Sequence, residues 1–159
     1  MRSCPRSAIA TACLVAAAVC CSSCAINVHN TEIREFPSEP EVASSTVIDA
    51  TEFNVFVDES VAAGERWARN PVLVVMEYLR HPNAPVLEIT RRDPPGESMP
   101  RTTITVVQDG FLDDSVRGTW HRFELERLAD MSWRISEARS AYRCYRGHQT
   151  DDYGARLCL

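Results

Sequence analysis

The amino-acid sequence predicts an α+β fold in which an N-terminal helix packs on an antiparallel meander sheet of four to five strands. Residues 102–108 and 116–128 alternate apolar and polar side chains, which is typical of strands with one buried face. Short segments rich in Gly, Pro and Asp separate the strand-like stretches, and consecutive strands joined by short loops pair antiparallel. These observations together favour a meander.

The first element of the domain is a predicted helix over residues 59–69. Asp58 is a suitable N-cap because its carboxylate can accept backbone N–H groups at a helix start, and arginines in the last turn suit the helix dipole. Gly64 argues against this helix, since glycine costs about 1 kcal/mol relative to alanine in a helix interior. The pair Asn70-Pro71 either ends this helix or caps a new one with proline at its first position.

The remaining elements are predicted strands. Residues 72–80 begin with β-branched residues and predict a strand buried on both faces, with a helix from Pro71 as the alternative. Further strands are expected over residues 86–92, 102–108, 116–128 and 133–142.

Alternation assigns the side chains of the last two strands to opposite faces of the sheet. One face of residues 116–128 receives Thr119, His121, Phe123 and Leu125, and the other receives Trp120, Arg122, Glu124 and Glu126. In the last strand, Trp133, Ile135 and Glu137 are expected to share one face.

The chain begins with an export-like segment. Arg2 and Arg6 precede fourteen uncharged, mostly apolar residues at positions 8–21. A helix of that length spans about 20 Å, whereas a bilayer core needs about 20 residues. The segment is therefore typical of a signal peptide over residues 1–23.

The end of this segment resembles the lipobox of bacterial lipoproteins, because the small residues Ser22 and Ser23 directly precede Cys24. The resemblance implies that the Cys24 thiol receives a diacylglycerol, that the peptide is cut before Cys24, and that the new amino group is acylated. It also implies a lipid-anchored location in the cell envelope, with the outer membrane favoured because Ala25 replaces the aspartate of inner-membrane retention. Two alternatives remain open: ordinary signal-peptidase cleavage after Ala25, and an uncleaved anchor that extends to Val28.

Residues 24–46 are predicted to be the lipidated cysteine and a flexible tether, and residues 47–159 a single domain. Loss of the two signal arginines would change the formal net charge from −5 to −7. An acidic protein is a poor nucleic-acid ligand, since phosphate contacts supply most of that affinity. The membrane, reached through the N-terminal lipid, and an envelope protein or glycan are the expected partners.

Two cysteines remain after the signal peptide and the lipidated residue are set aside. Cys144 and Cys158 would then form a disulfide in an oxidising compartment, which makes the C-terminal segment a disulfide loop. A metal-binding or catalytic thiol pair is the alternative, although thirteen intervening residues do not match the short spacing of zinc knuckles.

The loop after residue 108 holds Asp109, Asp113 and Asp114, which are candidate ligands for a cation. Their spacing does not match the alternating oxygen ligands of a calcium loop, so an acidic turn is the simpler interpretation. Asp113 or Asp114 with His121 could also form an acid–base pair, although alternation with Phe123 favours a packed histidine. No phosphate-binding loop or metalloprotease helix motif is present, and we expect no cofactor.

The C-terminal segment carries the most distinctive pattern. Its Arg-Cys, Arg-Gly-His and terminal Cys, together with Asp-Asp-Ser-Val-x-Gly at residues 113–118, are similar to a set of uncharacterised bacterial exported proteins. That resemblance covers about fifty residues and implies no known activity. Candidate residues for an anion- or glycan-binding surface are Tyr142, Arg143, Tyr145, Arg146 and His148.

A structural interpretation of the same segment is favoured over the binding one, because exposed ion pairs and packed tyrosines are common in small domains. The tyrosines would pack the disulfide loop against the last strand, and Arg143 and Arg146 would pair with Asp151 and Asp152. We therefore expect an envelope lipoprotein that acts as a non-catalytic binding or interaction module. The alternatives are a small secreted hydrolase that uses the Asp/His pair, and a structural or assembly factor of the envelope.

Overall fold

The structure is a computed structural model that describes residues 39–80, 82, 84–96 and 100–159. Its elements, in chain order, are β1 (Thr46–Ile48), α1 (Thr51–Ala62), a 3₁₀ turn (Trp67–Arg69), α2 (Pro71–Tyr78), β2 (Val86–Arg92), β3 (Arg101–Asp109), β4 (Val116–Arg127) and β5 (Trp133–Cys144). The five strands form one antiparallel sheet in the order β1-β5-β4-β3-β2. The predicted α+β class with an antiparallel sheet is confirmed.

The main hydrophobic core lies between the two helices and one face of the sheet, which we call the helix-covered face. Val74 and Val75 of α2 are buried against apolar side chains of the strands. The strand residues of this core are Ile104, Val106, Phe123, Leu125, Trp133, Ile135 and Ala138. Alternation along β4 was predicted correctly here, because Phe123 and Leu125 share this face.

The helix predicted over residues 59–69 is wrong in its position. Helix α1 begins at Thr51, whose N–H is bonded at 2.9 Å to the Asp49 carboxylate, and it ends at Ala62. Gly64 follows with φ +84°, a conformation that glycine adopts without strain and that stops the helix. Asp58 is therefore not an N-cap but lies inside α1, where its carboxylate pairs with Arg134 of β5.

The strand predicted over residues 72–80 is also wrong, and the alternative helix is the one that forms. The Asn70 side chain accepts the N–H groups of Val72 at 2.9 Å and Leu73 at 3.4 Å, and Pro71 occupies the first helical position. This cap satisfies N–H groups that a helix start otherwise leaves unpaired. Local capping therefore outweighs the β-branched composition of the segment.

A bulge in β5 changes which residues share a face. Leu125 pairs with Ile135 whereas Glu124 pairs with Glu137, so Ser136 is an extra residue in β5. An extra residue reverses the alternation that follows it. The prediction that Trp133, Ile135 and Glu137 share one face is therefore wrong, because Glu137 lies opposite Glu124 on the other face.

Residues 39–46 belong to the packed domain rather than to a free tether. The N–H of Ala43 donates to the carbonyl of Tyr153 at 2.9 Å, and the N–H of Tyr153 donates to the carbonyl of Glu41 at 3.1 Å. The domain therefore starts before the predicted boundary at residue 47, since these backbone bonds pair it with the C-terminal segment. The predicted signal peptide, Cys24 and the remaining tether lie outside the described residues.

The predicted disulfide is confirmed. Cys144, at the end of β5, is bonded to Cys158 with a Cα–Cα distance of 5.5 Å. Within the described part of the chain, no helix combines the length and the apolar character that a membrane crossing requires.

Candidate functional site

The candidate site lies on the face of the sheet that the helices leave uncovered, which we call the open face. Trp120, Arg122 and Glu124 of β4 project to this face because they alternate with Phe123 and Leu125 of the core. The bulge at Ser136 brings two residues of β5 to the same face. Arg139 lies directly opposite Arg122, and Glu137 lies directly opposite Glu124.

These side chains form one wall of a groove with a volume of about 390 Å³. Residues 39–45 cross the open face and form the other wall, with Val42 and Ser45 among the lining residues. We call this feature the open-face groove. Glu39 holds the crossing segment in place, since its carboxylate accepts a hydrogen bond from Thr105 at 3.2 Å and lies 3.3 Å from Arg92.

Two ion pairs run along the strands of the groove. Arg122 lies 3.6 Å from Glu124, and Arg139 contacts Glu137. The four side chains are between 40% and 51% exposed, and exposed pairs contribute only about 0–1 kcal/mol. Like charges directly opposite each other across strands are unfavourable. The groove therefore has a cationic row and an anionic row, which are joined by two exposed ion pairs.

Trp120 lies beside the cationic row and is only 4% exposed. Its Nε1–H is buried and has no hydrogen-bond partner among the described residues. A buried donor without a partner costs about 1–3 kcal/mol. The groove thus combines two guanidinium groups with the Ser45 hydroxyl, which lies 3.5 Å from Arg139, and the Trp120 side chain is among its lining residues.

The binding surface predicted near the C-terminus has a different arrangement. Arg143 is bonded to the Asp109 carboxylate and lies over the ring of Tyr153, 5.2 Å from its centroid. The Tyr145 hydroxyl donates to the carbonyl of Phe111 at 2.8 Å. These contacts join the acidic loop to the C-terminal segment. Arg143 and Tyr145, which were predicted to bind a ligand, therefore hold these two segments together.

The other predicted ligand residues of this segment do not join them in one surface. Arg146 lies 3.8 Å from Asp114, and both side chains are largely exposed. Tyr142 lies opposite Thr119 and therefore on the helix-covered face, whereas Arg143 reaches the open face. The His148 Nε2 is buried without a partner among the described residues. The expected pairing of the arginines with Asp151 and Asp152 is replaced by pairing with Asp109 and Asp114.

The acidic loop is organised by its own hydrogen bonds. Asp113 accepts the N–H of Ser115 at 2.8 Å and of Val116 at 2.9 Å, and these bonds lower the pKa of its carboxyl. Asp109 is bonded to Arg143 and lies 3.5 Å from Arg117. In the described ranges, no group of three or more His, Cys, Asp or Glu side chains could hold a metal ion.

His121 lies on the helix-covered face, where its ring stacks on Phe123 with a centroid distance of 6.1 Å. Burial lowers the pKa of His121 from 6.5 to about 4. Its Nδ1 has no hydrogen-bond partner among the described residues, and the Asp113 carboxylate is engaged by its own loop. The structure thus keeps His121 as a packed, neutral side chain and does not join it to Asp113.

Sequence reasoning did not identify the open-face groove, although part of its signal is present in the sequence. Alternation correctly grouped Trp120, Arg122 and Glu124 on one face of β4. The partner row on β5 was missed because no residue type near Ser136 indicates a bulge.

Comparison with known proteins gave no match: no family model fits the chain, and no curated protein or solved structure is significantly similar to it.

Proposed function

We propose that this chain is an exported, lipid-anchored binding module of the bacterial cell envelope and that the open-face groove binds an anionic group of its ligand. One observation carries the binding part of this proposal. Arg122 and Arg139 face each other across the two strands in a groove that Trp120 also lines. A bound anion would be attracted by both guanidinium groups at once.

The chemistry of the donors supports an anion. Guanidinium groups present planar N–H donors that match carboxylate and phosphate oxygens, and hydrogen bonds to charged groups are stronger than neutral ones. A ligand oxygen placed between Arg122 and Arg139 would reduce their mutual repulsion.

The envelope location rests on features of the sequence together with one bond in the structure. The short apolar segment and the lipobox-like Ser22-Ser23-Cys24 support export and lipidation. The Cys144–Cys158 disulfide is consistent with an oxidising compartment. A covalent lipid would also hold an acidic protein at a membrane whose anionic head groups repel it.

The lipid anchor is tested by metabolic labelling with a fatty-acid analogue in a bacterial host that expresses the full chain. We expect the label to appear on the wild-type protein and to be lost in Cys24→Ala. A mature wild-type protein that begins at Ala25 or later, or that lacks acyl mass on Cys24, contradicts the anchor.

The groove is tested by titrating the mature protein with N-acetylglycine, which carries a carboxylate and no ammonium. Because Trp120 lines the groove, we expect its indole N–H resonance to shift on binding, and the Trp120→Phe variant identifies that resonance by its absence. Arg122→Gln or Arg139→Gln should weaken binding about tenfold or more, as expected for the loss of a charged hydrogen bond.

The matched control for the groove is Arg101→Gln, because Arg101 is an exposed arginine paired with Glu126 at 2.8 Å outside the groove. This variant should bind N-acetylglycine as the wild type does. If the indole resonance does not move, or if Arg101→Gln weakens binding as much as Arg139→Gln, the groove is not the binding surface.

A further inference from the structure

We infer that the ligand of the open-face groove is a zwitterion, with a carboxylate and a primary ammonium close together, as in a free amino acid or a short peptide. This inference rests on the proposed function, since it concerns the same groove. It is carried by the separation of charge on the open face, where one cross-strand row is cationic and the adjacent row is anionic.

The rows are ordered by the register of β4 and β5. Arg122 and Arg139 form one cross-strand pair, and Glu124 and Glu137 form the next pair on the same face. Successive residues on one face of a strand are about 6.7 Å apart, which is twice the rise per residue. A ligand that contacts both rows therefore needs opposite charges separated by a few ångströms, which is the separation found in amino acids and short peptides.

The charge of the groove excludes other simple ligands. The two arginines and two glutamates cancel, and Glu39 is engaged by Thr105 and Arg92. An ion with several negative charges would meet the anionic row without compensation, and a polycation would meet the cationic row. A ligand that is itself neutral overall but carries both charges faces neither cost.

The existing ion pairs can open for such a ligand. Both Arg122–Glu124 and Arg139–Glu137 are about half exposed, so breaking them costs little free energy. A carboxylate on the cationic row and an ammonium on the anionic row would give the arginines and the glutamates new partners of opposite charge. The position of the Arg122–Arg139 row sets the end of the groove at which the carboxylate binds.

The inference is tested with glycylglycine and two derivatives of it that differ in their terminal charges. Glycylglycine carries both charges, N-acetylglycylglycine carries only the carboxylate, and glycylglycinamide carries only the ammonium. Titrations at about pH 6.5, followed by the Trp120 indole resonance, keep the amino group protonated and the carboxyl ionised. We expect glycylglycine to bind about tenfold more tightly than either of the other two peptides.

Two variants separate the contribution of the anionic row. In Glu124→Gln/Glu137→Gln, glycylglycine and N-acetylglycylglycine should bind equally well, because the ammonium has lost its partners. Glu126→Gln is the matched control, since Glu126 pairs with Arg101 outside the groove and should leave the preference intact. Raising the pH to about 9.5 deprotonates the amino group and should abolish the preference in the wild type.

The outcomes distinguish this inference from the proposed function. If N-acetylglycylglycine binds as tightly as glycylglycine, the groove recognises an anion alone, so the inference fails and the proposed function stands. If glycylglycinamide binds most tightly, both fail, because the groove then recognises a cation. If none of the dipeptides binds while N-acetylglycine does, only the inference is overturned.

Discussion

At the scale of single residues, His121 and Arg143 show how the fold uses side chains that appear functional in the sequence. His121 is stacked on Phe123 and has a pKa lowered by burial to about 4. Arg143 is only 18% exposed and is bonded to Asp109 over the Tyr153 ring. Both residues therefore contribute to packing, whereas Arg122 and Arg139 are exposed in the groove.

The burial of His121 predicts a dependence of stability on pH. The folded-state pKa of about 4 lies below the ordinary value of 6.5, so the unfolded chain binds a proton more readily than the folded protein. The free energy of unfolding should therefore be highest above about pH 6.5, fall as the pH is lowered to about 4, and level off below that. The contribution of His121 to this fall in the free energy of unfolding is about 3 kcal/mol.

Urea unfolding of the wild type and of His121→Gln at about pH 7.5 and about pH 4.5 checks this dependence. The variant should lose less stability than the wild type between the two pH values, whatever its stability at the higher one. Equal losses in the two proteins would show that His121 does not cause the dependence, since the carboxylates are common to both.

At the scale of elements, the contact between α1 and β5 explains how the bulged strand is stabilised. Strand β1 pairs with Ala138–Ser140, and no other described strand pairs with this edge of β5 before the bulge. Asn54 of α1 takes that place: its amide donates to the carbonyl of Ile135 at 2.9 Å, and its oxygen accepts the N–H of Ile135 at 3.1 Å. One side chain thus satisfies two backbone groups.

We expect Asn54→Ala to lower the free energy of unfolding by about 2 kcal/mol, because it leaves two partly buried backbone groups without their partners. Equilibrium urea unfolding measures the loss. Asp58→Asn on the same helix is the control, since its pair with Arg134 is exposed and should contribute no more than about 1 kcal/mol. If the two variants lose equal stability, Asn54 does not support the edge of β5.

At the scale of the whole molecule, the C-terminal segment connects parts of the domain that are far apart in the chain. The segment is bonded to β5 by the disulfide, and its Tyr153 forms backbone hydrogen bonds with Glu41 and Ala43. Tyr153 also packs with Trp120 and Ala141 in a small hydrophobic cluster. The disulfide therefore supports both the C-terminal segment and the wall of the groove.

Removal of the disulfide in Cys144→Ala/Cys158→Ala should lower the free energy of unfolding by about 3 kcal/mol, the value expected for a closed loop of about 15 residues. Urea unfolding of the variant and of the chemically reduced wild type should agree. Hydrogen exchange should also increase at Ala43 and Tyr153, whose N–H groups bond the two segments together. Unchanged stability and unchanged exchange at these positions would contradict the role of the disulfide.

Predictions that rest on local patterns were the successful ones. Strands β2 to β5 follow from alternation and turn residues, and the start of α2 follows from the adjacent pair Asn70-Pro71, although composition favoured a strand there. The position of α1 was missed because Asp58 was taken as its N-cap. The helix instead begins at Thr51, so Asp58 lies inside it and pairs with Arg134 of β5.

The sequence alone therefore determined the α+β class, four of the strands and the pairing of the two distal cysteines, because these depend on periodicity, turn chemistry and residue counts. Only the tertiary structure decided which charged residues meet. The bulge at Ser136 turns Glu137 to the open face, and Asp109 engages Arg143, which lies 34 residues further along the chain. Such contacts depend on strand register and on packing between distant segments, and no local pattern of residues encodes either one.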